Sequence, residues 1–225
     1  MTLGNVNTHC NLEGRFAIVT GATRGIGHAI AARLVQAGAR VLGTGRSARG
    51  SVPAGCEYRG VDLADEAACA GFAETSADAF LLLHRVNLLA PMLLCRAVVP
   101  AMRAARWGRI VNVASIWSLR SLTGRAAYSA SKFGLDGMTA ALAAEVAADN
   151  VLANCVSPGF IGTEMLRTAV GEDGIRNLVA QVPAGRLGMP QEVAAFVTWL
   201  AGPENTYICG PNIVPYIWIR LICKI

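Results

Sequence analysis

The residues best placed to do chemistry are Tyr128 and Lys132, in Tyr128-Ser-Ala-Ser-Lys132, together with Ser115 upstream. A phenol and an ammonium four residues apart share one face of a helix. The residues that follow, 133–148, are rich in Ala, Leu, Met and Glu and read as helix. An ordinary phenol titrates near pH ~10, and a neighbouring cation favours its charged form. Tyr128 then becomes a usable general acid or base near neutral pH. Ser115 follows Arg109-Ile-Val-Asn-Val-Ala114, a β-branched run that reads as a buried strand. A hydroxyl at that strand's end, facing the Tyr/Lys pair, can polarise a carbonyl. Taken alone, such a pair is usually a helix-surface contact. The chain has only two lysines, Lys132 and Lys224, and four tyrosines, so chance placement is on the order of a few per cent.

Three further elements could position these groups. Arg15-Phe-Ala-Ile-Val-Thr20 reads as a strand. Gly21-Ala-Thr-Arg-Gly25-Ile-Gly27 follows, then a helix from about His28 to Ala37. Strand, glycine turn and helix together are the context in which glycines cradle a dinucleotide pyrophosphate on a helix N-terminus. The spacing is G-x-x-x-G-x-G, so the general G-x-G-x-x-G fingerprint is not met. A second strand, Ala39–Thr44, ends in Gly45-Arg46-Ser47. An acid for ribose hydroxyls is missing there, and Arg46 with Arg24 offers two guanidinium groups to a 2′-phosphate. That favours NADP over NAD. Ser157-Pro-Gly-Phe-Ile-Gly-Thr163 leaves the strand Val151–Val156 at its carboxyl end, where open α/β sheets bind ligands.

The rest of the chain fills in around them. Cys56–Val61 reads as a third strand. Asp62-Leu63 closes it, with Asp62 either receiving an adenine amino group or capping a helix that runs from Glu66 to about Ala77. A long apolar helix runs from Asn87 to about Ala105. Residues 164–185 read as a mobile segment, Pro190 opens a helix through Leu200, and Gly210–Trp218 reads as an apolar strand or edge. Alternating strands and helices give an α/β fold, a doubly wound parallel sheet with helices on both faces.

Composition narrows the function. At 225 residues the chain reads as one domain. Its +5 charge comes from scattered arginines, which does not make a nucleic-acid stripe. Seven cysteines without a C-x-x-C pair and three distant histidines give no metal site and suit a reducing cytoplasm. Met1–Glu13 is not a signal peptide, and no run reads as the ~18 apolar residues of a membrane span.

As a set, these motifs resemble the short-chain dehydrogenase/reductases, especially their 3-oxoacyl-carrier-protein-reductase-like branch. The motifs are Thr20–Gly27, Asp62-Leu63, Val86-Asn-Leu88, Ser115, Tyr128–Lys132, Ser157-Pro-Gly159 with Thr163, and Arg186-Leu-Gly-x-Pro190. The resemblance spans Gly14 to about Val214 and implies a Rossmann-like single domain of residues 1–225. An N-terminal extension of residues 1–13 and an atypical tail of residues 211–225 flank the matching stretch. It implies an NADP(H)-dependent oxidoreductase acting on a small carbonyl or alcohol, assembled as a homodimer or homotetramer.

It also implies roles. Tyr128 would give the proton, Ser115 would bind the substrate oxygen, and Lys132 would hold the nicotinamide ribose. Asn87 would hold a water in the proton relay. Gly21, Thr23, Arg24, Gly25, Ile26, Gly27, Arg46, Asp62, Leu63, Pro158, Gly159, Ile161 and Thr163 would join Tyr128 and Lys132 around the cofactor. Trp117, with Ile116 and Leu119, would line the substrate pocket; packing is the alternative for the indole.

Two departures stand out. The family's Asn-Asn-Ala-Gly strand has no counterpart. Only 24 residues separate Asp62 from Asn87, and a βαβ unit needs roughly 30 or more. The fourth strand is therefore expected to be absent or remodelled, with Ala79–His84 as either a substitute strand or the start of the next helix. The chain end, Val214-Pro-Tyr-Ile-Trp-Ile-Arg-Leu-Ile-Cys-Lys-Ile, departs from Val-Asp-Gly-Gly. These departures support a second reading, a catalytically impaired binding or scaffold protein. A third is an internally deleted product that folds poorly.

Overall fold

The computed structural model describes residues 10–61, 72 and 74–214. β1 (Phe16–Val19) turns through glycines into α1 (Gly25–Gln36), which returns to β2 (Arg40–Gly45) and β3 (Cys56–Gly60). α2 (Ala77–His84) runs through one π turn, Arg85–Leu89, into α3 (Ala90–Ala104). β4 (Gly108–Val113), α4 (Ala126–Val146), β5 (Val151–Val156), α5 (Glu164–Ala180), α6 (Pro190–Ala201) and β6 (Asn212–Ile213) follow. All strand pairs are parallel, as crossover helices require.

The strands form two three-stranded sheets, β1-β2-β3 and β4-β5-β6, rather than one. Among the described residues no strand pairs with β1 on the side away from β2, where a fourth strand was expected to be lost. Ala79–His84 does not substitute for it. Ser76 Oγ accepts from the Ala79 N–H and caps α2, committing that run to helix. The two sheets share one core. Val19, Val41 and Val156 lie in one buried cluster with α1 residues Ile30 and Leu34 and α6 residues Val193, Val197 and Leu200. Val111 and Val113 of β4 pack against that cluster.

Several expectations need correction. α1 begins at Gly25, three residues before His28, because glycine tolerates the tight entry. Residues 72, 74, 75 and 76 are turn or coil, so the helix expected through Ala77 does not reach it; its earlier part, with Asp62 and Leu63, lies outside the described residues. Most of the segment 164–185, expected to be mobile, is helical: Thr163 Oγ1 caps it and α5 runs to Ala180, kinked at Gly171. The helix Ala77–Ala104 is long and apolar enough to cross a membrane, with a mean hydropathy of 1.4 over its apolar window. Arg85, Asn87 and Arg96 lie within it, so the helix holds no unbroken run of ~18 apolar residues. The five described cysteines are free, and the described residues hold no group of metal-ligating side chains.

Candidate active site

The carboxyl ends of β1, β2, β4 and β5 carry the candidate groups. At β1, Gly21 and Gly25 have positive φ, +66° and +57°. A Cβ on Gly27 would lie 2.3 Å from the Gly21 carbonyl oxygen, so only glycine lets α1 close on the turn. A Cβ on Gly25 would meet Thr163 Cγ2 at 3.4 Å, which places the β1 turn against the loop after β5. α1 has no acid in its first turn, and Arg24 at its N-cap makes no side-chain cap, leaving the helix N–H groups to an anion. A Cβ on Gly45 would strike Thr23 Cγ2 at 2.7 Å. That close approach brings the exposed Arg24 and Arg46 to one corner. These residues fit a dinucleotide carrying a 2′-phosphate. Ile26 enters the main core beside them.

At β4, Ser115 begins a short 3-10 turn, Ile116–Ser118, and its Oγ accepts from the Trp117 N–H at 3.3 Å. The Ile116 N–H donates to Pro158 O at 3.1 Å, tying this turn to the Ser157–Thr163 loop and Gly159 within it. α4 brings Tyr128 and Lys132 alongside. The Lys132 ammonium lies 5.7 Å from the Tyr128 ring centre and donates to Val113 O at 3.1 Å. Asn87, in the π turn, donates to Ser131 Oγ at 3.2 Å, and Ser131 donates to Tyr128 O at 2.7 Å. Asn87 is thus joined to the Tyr128 backbone through Ser131. Tyr128, Lys132, Ser115 and Asn87 are all half-buried.

Trp117 is 9% exposed and meets Phe160 edge-on at 6.4 Å. Its indole packs against the loop after β5. Leu119 is exposed. Ile161 bridges to Gly188, and the Gly162 N–H donates to Gly188 O at 2.8 Å. The Arg186-Leu-Gly-x-Pro190 motif therefore supports the loop. Arg186 forks onto Glu192 at 2.8 and 2.6 Å, and Glu192 accepts from the Met189 N–H at 2.7 Å. Those bonds, the Arg186 fork first, pull the Glu192 carboxyl down to about 2. Burial pushes the Cys155 thiol beneath the site up to about 12.

Sequence reasoning missed Ser118. It is 1% exposed and donates to Ser115 O at 2.7 Å. It then accepts from Ser157 at 2.8 Å and Asn212 at 2.9 Å. One hydroxyl joins three strand ends. No local spacing signals it, because its partners lie 39 and 94 residues away.

The family described as enoyl-(acyl carrier protein) reductase matches residues 60–215, and the short chain dehydrogenase family matches residues 15–64. The chain belongs to the short-chain dehydrogenase/reductase family. It is 37% identical to the 3-oxoacyl-[acyl-carrier-protein] reductase of Vibrio cholerae over 240 residues, covering 90% of this chain and 96% of that one. The Escherichia coli reductase of the same name is also 37% identical, over 236 residues and with the same coverage. An alignment of 240 positions that uses 90% of a 225-residue chain means that the relative carries stretches without counterpart here. Among solved structures, a putative NAD(P) dependent gluconate 5-dehydrogenase from Beutenbergia cavernae, with NADP bound at low occupancy, superposes with a TM-score of 0.83. It is 31% identical, and the match covers 91% of this chain and 96% of that one. A 3-oxoacyl (acyl-carrier-protein) reductase from Agrobacterium tumefaciens with NADP bound gives 0.82 at 27% identity, covering 91% and 93%. This short-chain dehydrogenase/reductase thus keeps the Rossmann-like fold while, among the described residues, β1 and β4 each keep one edge without a partner strand.

Proposed function

We propose that this chain is an NADP(H)-dependent oxidoreductase acting on a carbonyl or secondary alcohol, with Tyr128 as its general acid and base. The observation that carries the reading is the Lys132 ammonium 5.7 Å from the Tyr128 ring, on the helix beside the end of β4. When bound, the nicotinamide supplies or takes up the hydride. Tyr128 gives the proton to the substrate oxygen in reduction and removes it in oxidation. Lys132 favours the phenolate electrostatically and holds the ribose hydroxyls. Ser115 donates to the same substrate oxygen. Asn87, anchored through Ser131, fixes the start of α4 and orders the proton path. The glycine turn takes the pyrophosphate, Arg24 and Arg46 take the 2′-phosphate, and Pro158, Gly159, Ile161 and Thr163 border the nicotinamide. Asp62 and Leu63 belong to the adenine side by resemblance.

The NADP in the two solved relatives and the arginine corner support this cofactor. Substrate class follows the relatives: a small ketone or β-ketoacyl thioester. α3 exposes Leu93 and Leu94, and α4 exposes Phe133. We read this apolar surface as the contact of a homodimer or homotetramer rather than of a lipid bilayer, in a cytoplasmic protein. The test is NADPH oxidation against a panel of ketones and β-ketoacyl thioesters, run beside Ser115→Ala. Turnover that is lost in the variant supports the assignment. Equal rates in both proteins refute it.

One observation favours the second reading, a binding or scaffold protein. Among the described residues, no strand lies between β1 and β4. Fluorescence titration with NADPH separates the readings: saturable binding supports the enzyme, and no binding supports the scaffold.

A further inference from the structure

The corner that carries Arg24 and Arg46 is shaped by a residue on β3. β2 ends at Gly45, and the chain then loops through Arg46-Ser47-Ala48-Arg49 to Gly50. Both ends of that loop close on the same two side chains. A Cβ on Gly45 would lie 2.7 Å from Thr23 Cγ2 and 3.0 Å from Tyr58 Oη, and a Cβ on Gly50 would lie 2.7 Å from each of those atoms. The middle of the loop is tied to the same phenol: the Tyr58 hydroxyl donates to Ser47 O at 2.6 Å. Gly60, at the end of β3, is the floor. A Cβ there would strike Ser47 O and lie 2.8 Å from Ala48 Cα.

Strand register explains how the phenol reaches so far. β2 and β3 pair Gly43 with Tyr58 and Gly45 with Gly60. Alternation puts these four residues on one face of the sheet, where the glycines of β2 leave it clear. Tyr58 lies across that cleared stretch and meets Thr23 of the glycine turn, the neighbour of Arg24. Tyr58 is half-buried, whereas Arg24, Arg46 and Arg49 are exposed. The phenol thus grips the backbone between two arginines. A loop fixed at both ends and at its centre meets a ligand already ordered, so binding costs less conformational freedom.

We propose that Tyr58 is a positioning residue for cofactor choice. It acts through Ser47 to hold Arg46 where, with Arg24, it meets the 2′-phosphate of NADP. The inference rests on the NADP(H) reading above and adds to it a residue that no glycine or arginine motif announces. Packing alone is the competing account: a ring without its hydroxyl would fill the same space. It would also leave the centre of the loop untied, and that difference can be measured.

Tyr58→Phe keeps the ring and deletes one hydroxyl. Parent and variant are titrated with NADPH, NADH and 2′,5′-ADP. The expected result is a dissociation constant about fivefold or more higher in the variant for NADPH and 2′,5′-ADP, with that for NADH changed by less than about twofold. Unchanged NADPH affinity overturns the proposal. Equal weakening of NADPH and NADH also overturns it, because the hydroxyl then serves the fold and not the choice of cofactor. A parent that binds NADH as tightly as NADPH overturns the arginine corner itself, and the parent alone shows that. A second readout needs no cofactor. Trypsin cuts after arginine, and the bonds after Arg46 and Arg49 should be cut about fivefold or more faster in Tyr58→Phe; equal cleavage rates overturn the tie. Should Tyr58→Phe not fold, Gly50→Ala decides. Its Cβ would press on Tyr58 Cζ from 2.6 Å and should produce the same loss of NADPH preference, and an unaltered preference overturns the proposal.

Discussion

Gly27→Ala isolates the contact on which the cofactor cradle depends. The added Cβ would sit 2.3 Å from Gly21 O and 2.8 Å from Gly21 C, where ordinary contact begins at 3.4 Å. Both obstacles are backbone, so no side chain can swing aside. α1 must lift by about 1 Å from a face that buries Ala29, Ile30, Ala31 and Leu34. Overpacking of that kind costs about 3 kcal/mol. For a chain of this size the melting temperature should fall by about 6–12 °C. Gly21→Ala is the control. Its Cβ would meet nothing within 4 Å, leaving only the left-handed backbone to disfavour it, about 1 kcal/mol or 2–4 °C. Thermal melts of the two variants, with NADPH titration of each, make the assay. A Gly27→Ala protein that melts within about 2 °C of the parent would refute the close packing of turn and helix.

Replacing Arg24 and Arg46 together by alanine should lower kcat/KM for NADPH at least tenfold, about 1.4 kcal/mol, and leave that for NADH little changed; an unaltered ratio removes the arginine corner from cofactor choice. Ser118→Ala leaves Ser115 O, Ser157 and Asn212 without their shared partner inside the protein. It should destabilise by about 1–3 kcal/mol and lower kcat more than NADPH affinity, as stopped-flow and titration would show. Glu192→Gln tests the clamp on the Ile161 loop. The Glu192 carboxyl titrates at about 2 in the fold against an ordinary 4.5. Its stabilisation is therefore complete above about pH 4.5 and is lost as pH falls towards 2. The melting difference between parent and variant should be level at neutral pH and shrink through that window. Growth of the difference on acidification contradicts the clamp.

The glycine turn, the Tyr128/Lys132 pair and the Ser115 strand end were legible because each rests on spacing within a few residues. That β1 and β4 would not be joined by a fourth strand among the described residues was legible from chain length between Asp62 and Asn87, since too few residues remain for a crossover. What replaces it was not. Ala79–His84 has the apolar content of a strand, and only the Ser76 cap and continuity with α3 make it helix. α5 escaped because it buries no residue among those described, so no hydrophobic period marks it. Ser118 escaped because two of its three bonds, to Ser157 and Asn212, cross the sheet. The contact of Trp117 with Phe160 is tertiary, so no local spacing announced it.

The central claim is that Tyr128, beside the Lys132 ammonium, moves the proton that accompanies hydride transfer. Single-turnover NADPH oxidation by the parent and by Tyr128→Phe, both saturated with cofactor, tests it most directly. The account predicts a rate at least 10²-fold lower in the variant with NADPH affinity unchanged. Equal rates in the two proteins, with a reactive ketone present, would contradict it.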